Sequence, residues 1–161
     1  MAKKEKLSDN VTLDRIDRRM IRLLQKDGRM SIVDIARELR ISETTARTRL
    51  KRLIRMEIIN VVAVSNPIKL GFEIIGNLKL TIDLKKKDHI LHELKKIDQL
   101  NYIALTTGGT DLDVEFIARS LDEFKDLIFN EIPNIDGVIS LDTSLIVEII
   151  KNSWDFGTAW D

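Results

Sequence analysis

The sequence contains no cysteine, only two prolines and two histidines, seven glycines in 161 residues, and 5% aromatic residues. Without cysteine there is no disulfide scaffold, no thiol nucleophile and no thiolate metal ligand, which fits a reducing cytoplasm. No apolar run approaches the roughly 20 residues that a membrane-spanning helix needs, so no membrane partner is expected. The opening MAKKEKLSDN is basic but lacks the apolar centre of a signal peptide, and residues 1–11 are expected to form a mobile arm. His89 and His92 stand three apart, but no third ligand lies near them in sequence and lysines flank them. Neither a metal site nor a serine–histidine–acid arrangement is expected there, and no cofactor is implied.

What is present is globular. Hydrophobic residues make up 43% and charged residues 32%, enough apolar material for one ordinary domain or two small ones. The formal net charge is zero, but its distribution is uneven. Residues 1–66 hold 16 Lys and Arg against 9 Asp and Glu, whereas residues 67–161 hold 10 against 17. Such a split points to a basic half that meets a polyanion and an acidic half with another task; a merely dipolar protein with solvated charges is the plain alternative.

The first 60 residues carry helical periodicity. In TLDRIDRRMIRLLQKDG, Ile16, Met20, Leu23 and Leu24 form one apolar stripe, Asp14 can cap the start, and Gly28 can stop the helix in a left-handed conformation. In SIVDIAREL, Ser31 and Asp34 resemble a capping box before the apolar face Ile32, Ile35, Ala36 and Leu39. After the short turn RIS, Ser42 can cap a third helix whose Ala46, Leu50, Leu53 and Ile54 are expected to pack inward. Thr44, Arg47, Thr48, Lys51 and Arg55 then share an exposed stripe, with Arg49 and Arg52 on its flanks. Two helices joined tightly, the second basic and rich in hydroxyls, form a helix-turn-helix. Arginine can pair with guanine, threonine can bond base edges or touch a thymine methyl, and lysine neutralises phosphate. The predicted contacts to double-stranded DNA are Ser42, Thr44, Thr45, Arg47, Thr48, Arg49, Lys51, Arg52 and Arg55. Arg49 and Arg52 are assigned to phosphates and Thr44, Arg47, Thr48 and Lys51 to bases.

IINVVAVS (Ile58–Ser65) reads as a short strand, and NPIKLG as the junction between two modules. Beyond it the period changes. GNLKLTIDL alternates, KKKDHILHELKKID is helical with Ile90, Leu91, Leu94 and Ile97 inward, and LNYIALTTGG and LDVEFIARS are strands. LDEFKDLIFNEI is helical with Leu121, Phe124, Leu127 and Ile128 inward, and GVISLDTSLIVEII is a long last strand. The order β-α-β-β-α-β is that of a ferredoxin-like sandwich with one uncovered sheet face. Apolar residues directed to that face, such as Ile117, predict a homodimer. The fold class is therefore α+β, divided into the arm 1–11, a DNA-binding domain 12–60, a linker strand 61–75, a ferredoxin-like domain 76–150 and a tail 151–161. Trp154, Phe156 and Trp160 in the tail are expected to pack on the sheet or on a neighbouring subunit.

In TTGGTD, Gly108 and Gly109 let the backbone bend and expose N–H groups suited to a carboxylate, and Asp111 can pair with an ammonium. An amino acid carries both charges. The candidate effector-binding residues are Thr107, Gly108, Gly109, Thr110 and Asp111; a hairpin turn with no ligand accounts for the glycines equally well.

Taken together, LDRIDRRMIRLLQKDGRMS (Leu13–Ser31), RISETTARTRLKRL (Arg40–Leu53), NPIKLGF (Asn66–Phe72) and TTGGTDLDV (Thr106–Val114) resemble the Lrp/AsnC family of prokaryotic transcription regulators over about residues 12–150. The resemblance implies a winged helix-turn-helix followed by an effector-sensing RAM/ACT-like sandwich. It also implies dimers that often assemble into tetramers or octamers, palindromic operators, and amino-acid effectors. Arg49 and Arg52 match the family's R-x-x-R-L pattern. The sequence departs from the family at Glu57, where glycine is usual after the recognition helix, and at Thr110, where many members carry an aromatic residue. A subset of proteins with this layout resembles siroheme decarboxylases, but residues 67–161 contain one arginine, Arg119, a poor complement to a molecule with many carboxylates. An architectural DNA-compacting protein is the third reading.

Overall fold

The computed structural model describes residues 12–153 and 155–159, so the expectations for the arm 1–11 and for Trp154 and Trp160 lie outside the described residues. Contacts divide the chain into two units, one of residues 1–63 with 151–161 and one of residues 64–150.

The first unit holds α1 (Arg15–Lys26), α2 (Ile32–Leu39) and α3 (Glu43–Arg55). Each starts on a side-chain cap. Asp14 accepts from the Asp17 amide at 2.8 Å while the Asp14 amide donates to Asp17 Oδ2, Ser31 accepts from the Asp34 amide, and Ser42 accepts from the Thr45 amide. Met20, Ile21, Ile35, Ala36, Leu39, Ala46 and Leu53 form the buried core. Burying each larger aliphatic side chain contributes about 1.5–3 kcal/mol. Ile54, expected inward, is 41% exposed, because it lies beside rather than beneath the contact with α1 and α2. Gly28 is not left-handed: α1 stops at Asp27, whose carboxylate accepts from the Arg29 amide and closes an Asx turn.

The segment Ile58–Ser65 is not a strand: Ile58 lies in a bend, residues 59–65 have no regular structure and pair with no strand among the described residues, and Val61, Val62 and Val64 are exposed. Its β-branched residues favour extension, yet a strand also needs a neighbour.

The second unit contains β1 (Ile74–Ile82), α4 (Lys87–Leu94), β2 (Leu100–Leu105), β3 (Leu112–Ala118), α5 (Leu121–Asp126) and β4 (Val138–Leu145). The strand order is β2-β3-β1-β4, every neighbouring pair antiparallel, which is the ferredoxin-like arrangement. Leu78, Leu80, Ile82, Ile90, Leu94, Leu112, Val114, Phe116, Leu127, Ile128 and Ile132 form its core. Phe116 stacks on Phe124 with ring centroids 5.6 Å apart. Gly76 is required by this packing, since a Cβ there would lie 2.7 Å from the Phe116 ring and 2.5 Å from the Ser144 carbonyl oxygen.

Two expectations need correction here. Leu121 is 54% exposed because it occupies the outward first turn of α5, while Ile132 takes the inward place beyond a widened turn closed by Ile132 N–H to the Leu127 carbonyl. β4 ends at Leu145, where its pairing with β1 runs out, so Ile146–Ile150 do not extend the strand. On the uncovered face Ile75 and Ile117 are directly paired, but Lys79 stands between Asp113 and Asp142 in register. That face is therefore more polar than the alternation alone implies.

Glu123 ties the start of α5 to the ends of β3 and β2. It accepts from the Arg119 amide at 2.5 Å, from the Arg119 guanidinium at 2.9 Å and from Gln99 at 3.0 Å. The Arg119 side chain, then the Arg119 amide, hold its carboxyl down at about 2. A carboxyl lowered on folding contributes stability that is present above its unfolded value and lost as pH falls toward 2. We predict that wild-type stability declines between about pH 4.5 and 2 and that Glu123→Gln flattens this part of the profile; identical profiles from denaturant titrations at stepped pH would contradict it.

Candidate nucleic-acid interface

α2 and α3 are joined by Arg40, Ile41 and Ser42, with Arg40 left-handed at φ 56°. The Ile41 amide returns to the Ala36 carbonyl at 3.0 Å, which turns the chain sharply into α3. Inward-facing Ala46 and Leu53 anchor α3 and leave its opposite face in solvent. Thr44, Thr45, Arg47, Thr48, Lys51 and Arg55 are all exposed there. Among the described residues, no acidic side chain lies within 4 Å of Arg47, Lys51 or Arg55. Ser42 Oγ and Thr45 Oγ1 bond each other at 2.8 Å, and Thr48 Oγ1 donates to the Thr44 carbonyl at 2.9 Å. Thr48 therefore presents its methyl group and an acceptor, not a free donor.

Two of the predicted contacts, Arg49 and Arg52, are already paired within the unit. Arg49 bonds Asp14 at 2.6 Å and Asp17 at 2.9 Å, and Arg52 bonds the other Asp17 oxygen. Asp17 is 1% exposed, whereas the Arg49 and Arg52 side chains keep 25% and 38% exposure. A buried carboxylate without a cation costs several kcal/mol, so these arginines are held against α1. The Arg52 Nε is buried and has no hydrogen-bond acceptor. A helical wheel places both arginines at the margin of the exposed stripe but cannot show which neighbour lies beside that margin. A signal was nevertheless there: Asp17 precedes Met20 and Ile21 by three and four residues, so it lies on the apolar side of α1, where an acid needs a partner.

α3 ends with Glu57 at φ 55°. The Glu57 amide donates to the Ile54 carbonyl and the Ile58 amide to the Leu53 carbonyl, both at 3.0 Å, a Schellman termination. The chain thus keeps the termination that glycine usually serves and accepts on the order of 1 kcal/mol of backbone strain.

In the second unit, Thr107, Gly108 and Gly109 are exposed, Gly108 has φ 127°, and Thr110 and Asp111 are partly buried. Thr106 Oγ1 donates to the Thr110 carbonyl at 3.0 Å. Asp111 is more committed than its sequence context implies. Its amide donates to the Leu80 carbonyl, and its Oδ2 accepts from the Ile82 amide at 2.9 Å, where β1 leaves register with β4. One of the two oxygens expected to meet an ammonium is therefore taken by the fold. A groove of about 750 Å³, lined by Gln99, Ile117, Arg119 and Glu123, lies at the opposite end of β2 and β3 from this loop. Among the described residues no group of three or more histidines or acids is placed to hold a metal, and no helix is long and apolar enough to cross a membrane.

The buried pairing predicts unequal costs. Asp17→Ala should destabilise the protein by about 3–5 kcal/mol, because it removes the buried carboxylate that holds Arg52 and leaves Arg49 with Asp14 alone. Asp14→Ala should cost about 1 kcal/mol, the usual loss of an exposed cap. Equal shifts of the two denaturation midpoints would show that Asp17 is not the anchor of the cluster.

The description "Winged helix-turn-helix DNA-binding" matches residues 13–60, and "Lrp/AsnC ligand binding domain" matches residues 78–154. An uncharacterized HTH-type transcriptional regulator of Pyrococcus abyssi is 36% identical over 145 residues, covering 89% of this chain and 92% of the relative. The HTH-type transcriptional regulator Ptr1 of Methanocaldococcus jannaschii is 34% identical, with 87% and 95% covered. Among solved structures, E. coli AsnC superposes with a TM-score of 0.79 at 21% identity, covering 89% of this chain and 99% of that one. A Neisseria meningitidis transcriptional regulator in complex with L-Met gives 0.81 at 20%, covering 88% and 94%. With a helix-turn-helix unit, a four-stranded sandwich and full-length relatives of the same description, the chain belongs to the Lrp/AsnC family of HTH-type transcriptional regulators.

Proposed function

We propose that two copies of the chain bind one palindromic operator, each laying α3 in a major groove about one helical turn from the other. Thr44, Arg47, Thr48 and Lys51 select bases, while Ser42, Thr45 and Arg55 meet the backbone. The observation that carries this reading is the set Arg47, Lys51 and Arg55: three exposed cations on one face of the second helix of a helix-turn-helix, without acidic partners among the described residues. Side chains not already neutralised within the protein are the ones that displace counterions from DNA. The uncovered sheet face, with Ile75 beside Ile117, supports self-association, and a two-fold pair of readers is what a palindrome requires.

Selection of sites from random DNA should yield a palindromic motif, and Arg47→Ala should change the preferred base at one position per half-site by about 1–3 kcal/mol while leaving thermal stability intact. Unchanged preferences would remove Arg47 from base readout. A selection that yields no motif would replace the operator reading with sequence-independent binding.

We further propose that an amino acid modulates binding through Thr107, Gly108, Gly109, Thr110 and Asp111, the glycine amides taking its carboxylate and the free Asp111 oxygen its ammonium. The open, left-handed Gly108 turn supports this reading, as does a regulator of the same fold in complex with L-Met. Calorimetric titration of the twenty amino acids should show heat with at least one, and Asp111→Asn should abolish it. Silence with all twenty would overturn the proposal.

A further inference from the structure

The same turn bounds α3 on both sides. At the end of α2 the Arg40 amide donates to the Arg37 carbonyl at 3.2 Å and the Ile41 amide to the Ala36 carbonyl at 3.0 Å. After α3 the Glu57 and Ile58 amides repeat this pattern on Ile54 and Leu53. Each closure needs a left-handed residue, and Arg40 (φ 56°) and Glu57 (φ 55°) are the two non-glycine residues with positive φ among the described residues. A side chain in that conformation is strained and a glycine is not. Ile41 and Ile58 pack on the buried core just beyond the two turns, so both turns are held by the fold.

Strain alone does not tell the two residues apart; charge and position do. Arg40 is exposed and opens the turn into α3, two residues before the cap Ser42. Glu57 carries the opposite charge beyond the far end of α3, on the order of 20 Å away at about 1.5 Å per residue. Arg37, the other cation at the end of α2, is neutralised by Asp34 at 3.0 Å. Arg40 is not. Glu38 and Glu43 stand two and three residues from it and are exposed, yet among the described residues no acidic side chain lies within 4 Å of its guanidinium. In a helix-turn-helix the first helix crosses the DNA backbone and the N-terminal residues of the second enter the major groove. The turn between them stands over the rim of the groove, which phosphates line. The planar fork of guanidinium donors suits a phosphate there.

We propose that Arg40 is a further DNA contact: a phosphate anchor at the entry to the recognition helix, placed where glycine would make the protein more stable. The inference rests on the reading of α3 as the helix that meets DNA, and deepens it. The anchor makes no choice of sequence. It fixes how the N-terminus of α3 sits in the groove, while Thr44, Arg47, Thr48 and Lys51 choose bases. Stability and affinity therefore pull in opposite directions at this one residue.

The test compares the full chain with four variants on the duplex recovered by site selection and on a scrambled duplex of the same length. Arg40→Gly should melt a few degrees higher than wild type, because the strain is gone. It should nevertheless bind both duplexes roughly ten-fold more weakly, with a logarithmic salt slope lower by about 1 for each copy bound. Arg40→Gln, which keeps the Cβ and loses the charge, should melt with wild type and show the same loss of affinity. Arg40→Lys, which keeps the charge, should restore the wild-type salt slope. Glu57→Gly should also melt higher but bind at least as tightly as wild type, which separates the gain in stability from the loss of affinity. Wild-type affinity and salt slope in Arg40→Gln would overturn the proposal, as would a loss in Arg40→Lys as large as that in Arg40→Gln. A changed preference between the two duplexes in Arg40→Gln would overturn it as well, by moving Arg40 into base readout. Wild type that ignores both duplexes would remove the operator reading together with this one, whereas wild type and Arg40→Gln binding the selected duplex equally would remove this one alone.

Discussion

The first unit depends on the carboxylate of Asp17, enclosed at 1% exposure between the guanidinium groups of Arg49 and Arg52. Hydrophobic contact alone leaves a short helix free to rotate or slide by a fraction of a turn. A buried charge with two directional partners does not. Because Asp14 both caps α1 and reaches Arg49, the start of α1 and the middle of α3 are fixed by one group of four side chains. The pose of α3 is thus set by its ion pairs with α1, while Arg47, Lys51 and Arg55 on the same helix stay exposed.

Much of this was legible in the residues and some was not, for physical reasons. Helix periodicity, the caps at Asp14, Ser31 and Ser42, and the alternation Leu112, Val114, Phe116, Ala118 are local signals, and the elements they mark occur where they point. The left-handed residue after α3 was legible too, as a site where glycine is usual and glutamate stands. What a local pattern cannot carry is the identity of the neighbour. Arg49 and Arg52 look like the margin of an exposed stripe until α1 is laid beside them. Ile58–Ser65 has the composition of a strand but pairs with no strand among the described residues. β4 stops at Leu145 although the apolar run continues; beyond the Gly76–Leu145 pair the Ile146 amide still bonds the Ile75 carbonyl at 2.8 Å, and the strand goes no further. In the candidate sites the residue types were readable, while the internal commitments of Thr48 and Asp111 were not, since those depend on which backbone groups the fold leaves without partners.

The uneven charge of the two halves gains a meaning once the pairing is known. In the second unit cations tend to be matched by acids one helical turn away, and even Lys79 on the uncovered sheet face stands between two aspartates. In the first unit the one buried acid, Asp17, takes Arg49 and Arg52, and Arg47, Lys51 and Arg55 on α3 stay exposed. The imbalance is therefore an arrangement of pairs as well as a matter of composition, with a basic first unit and an acidic second one.

The bond between Asp111 and the Ile82 amide has a thermodynamic corollary. Any small molecule that takes the Oδ2 lone pair used here must displace an amide belonging to the last residue of β1, at the irregularity where that strand parts from β4. The fold is thus a competitor for its own acceptor, present at fixed and high effective concentration. Such an occupant is bound more weakly than its contacts alone would allow, by the free energy of the bond it breaks, about 1–3 kcal/mol or roughly 5- to 150-fold. By reciprocity, its arrival loosens the end of the central strand by the same amount.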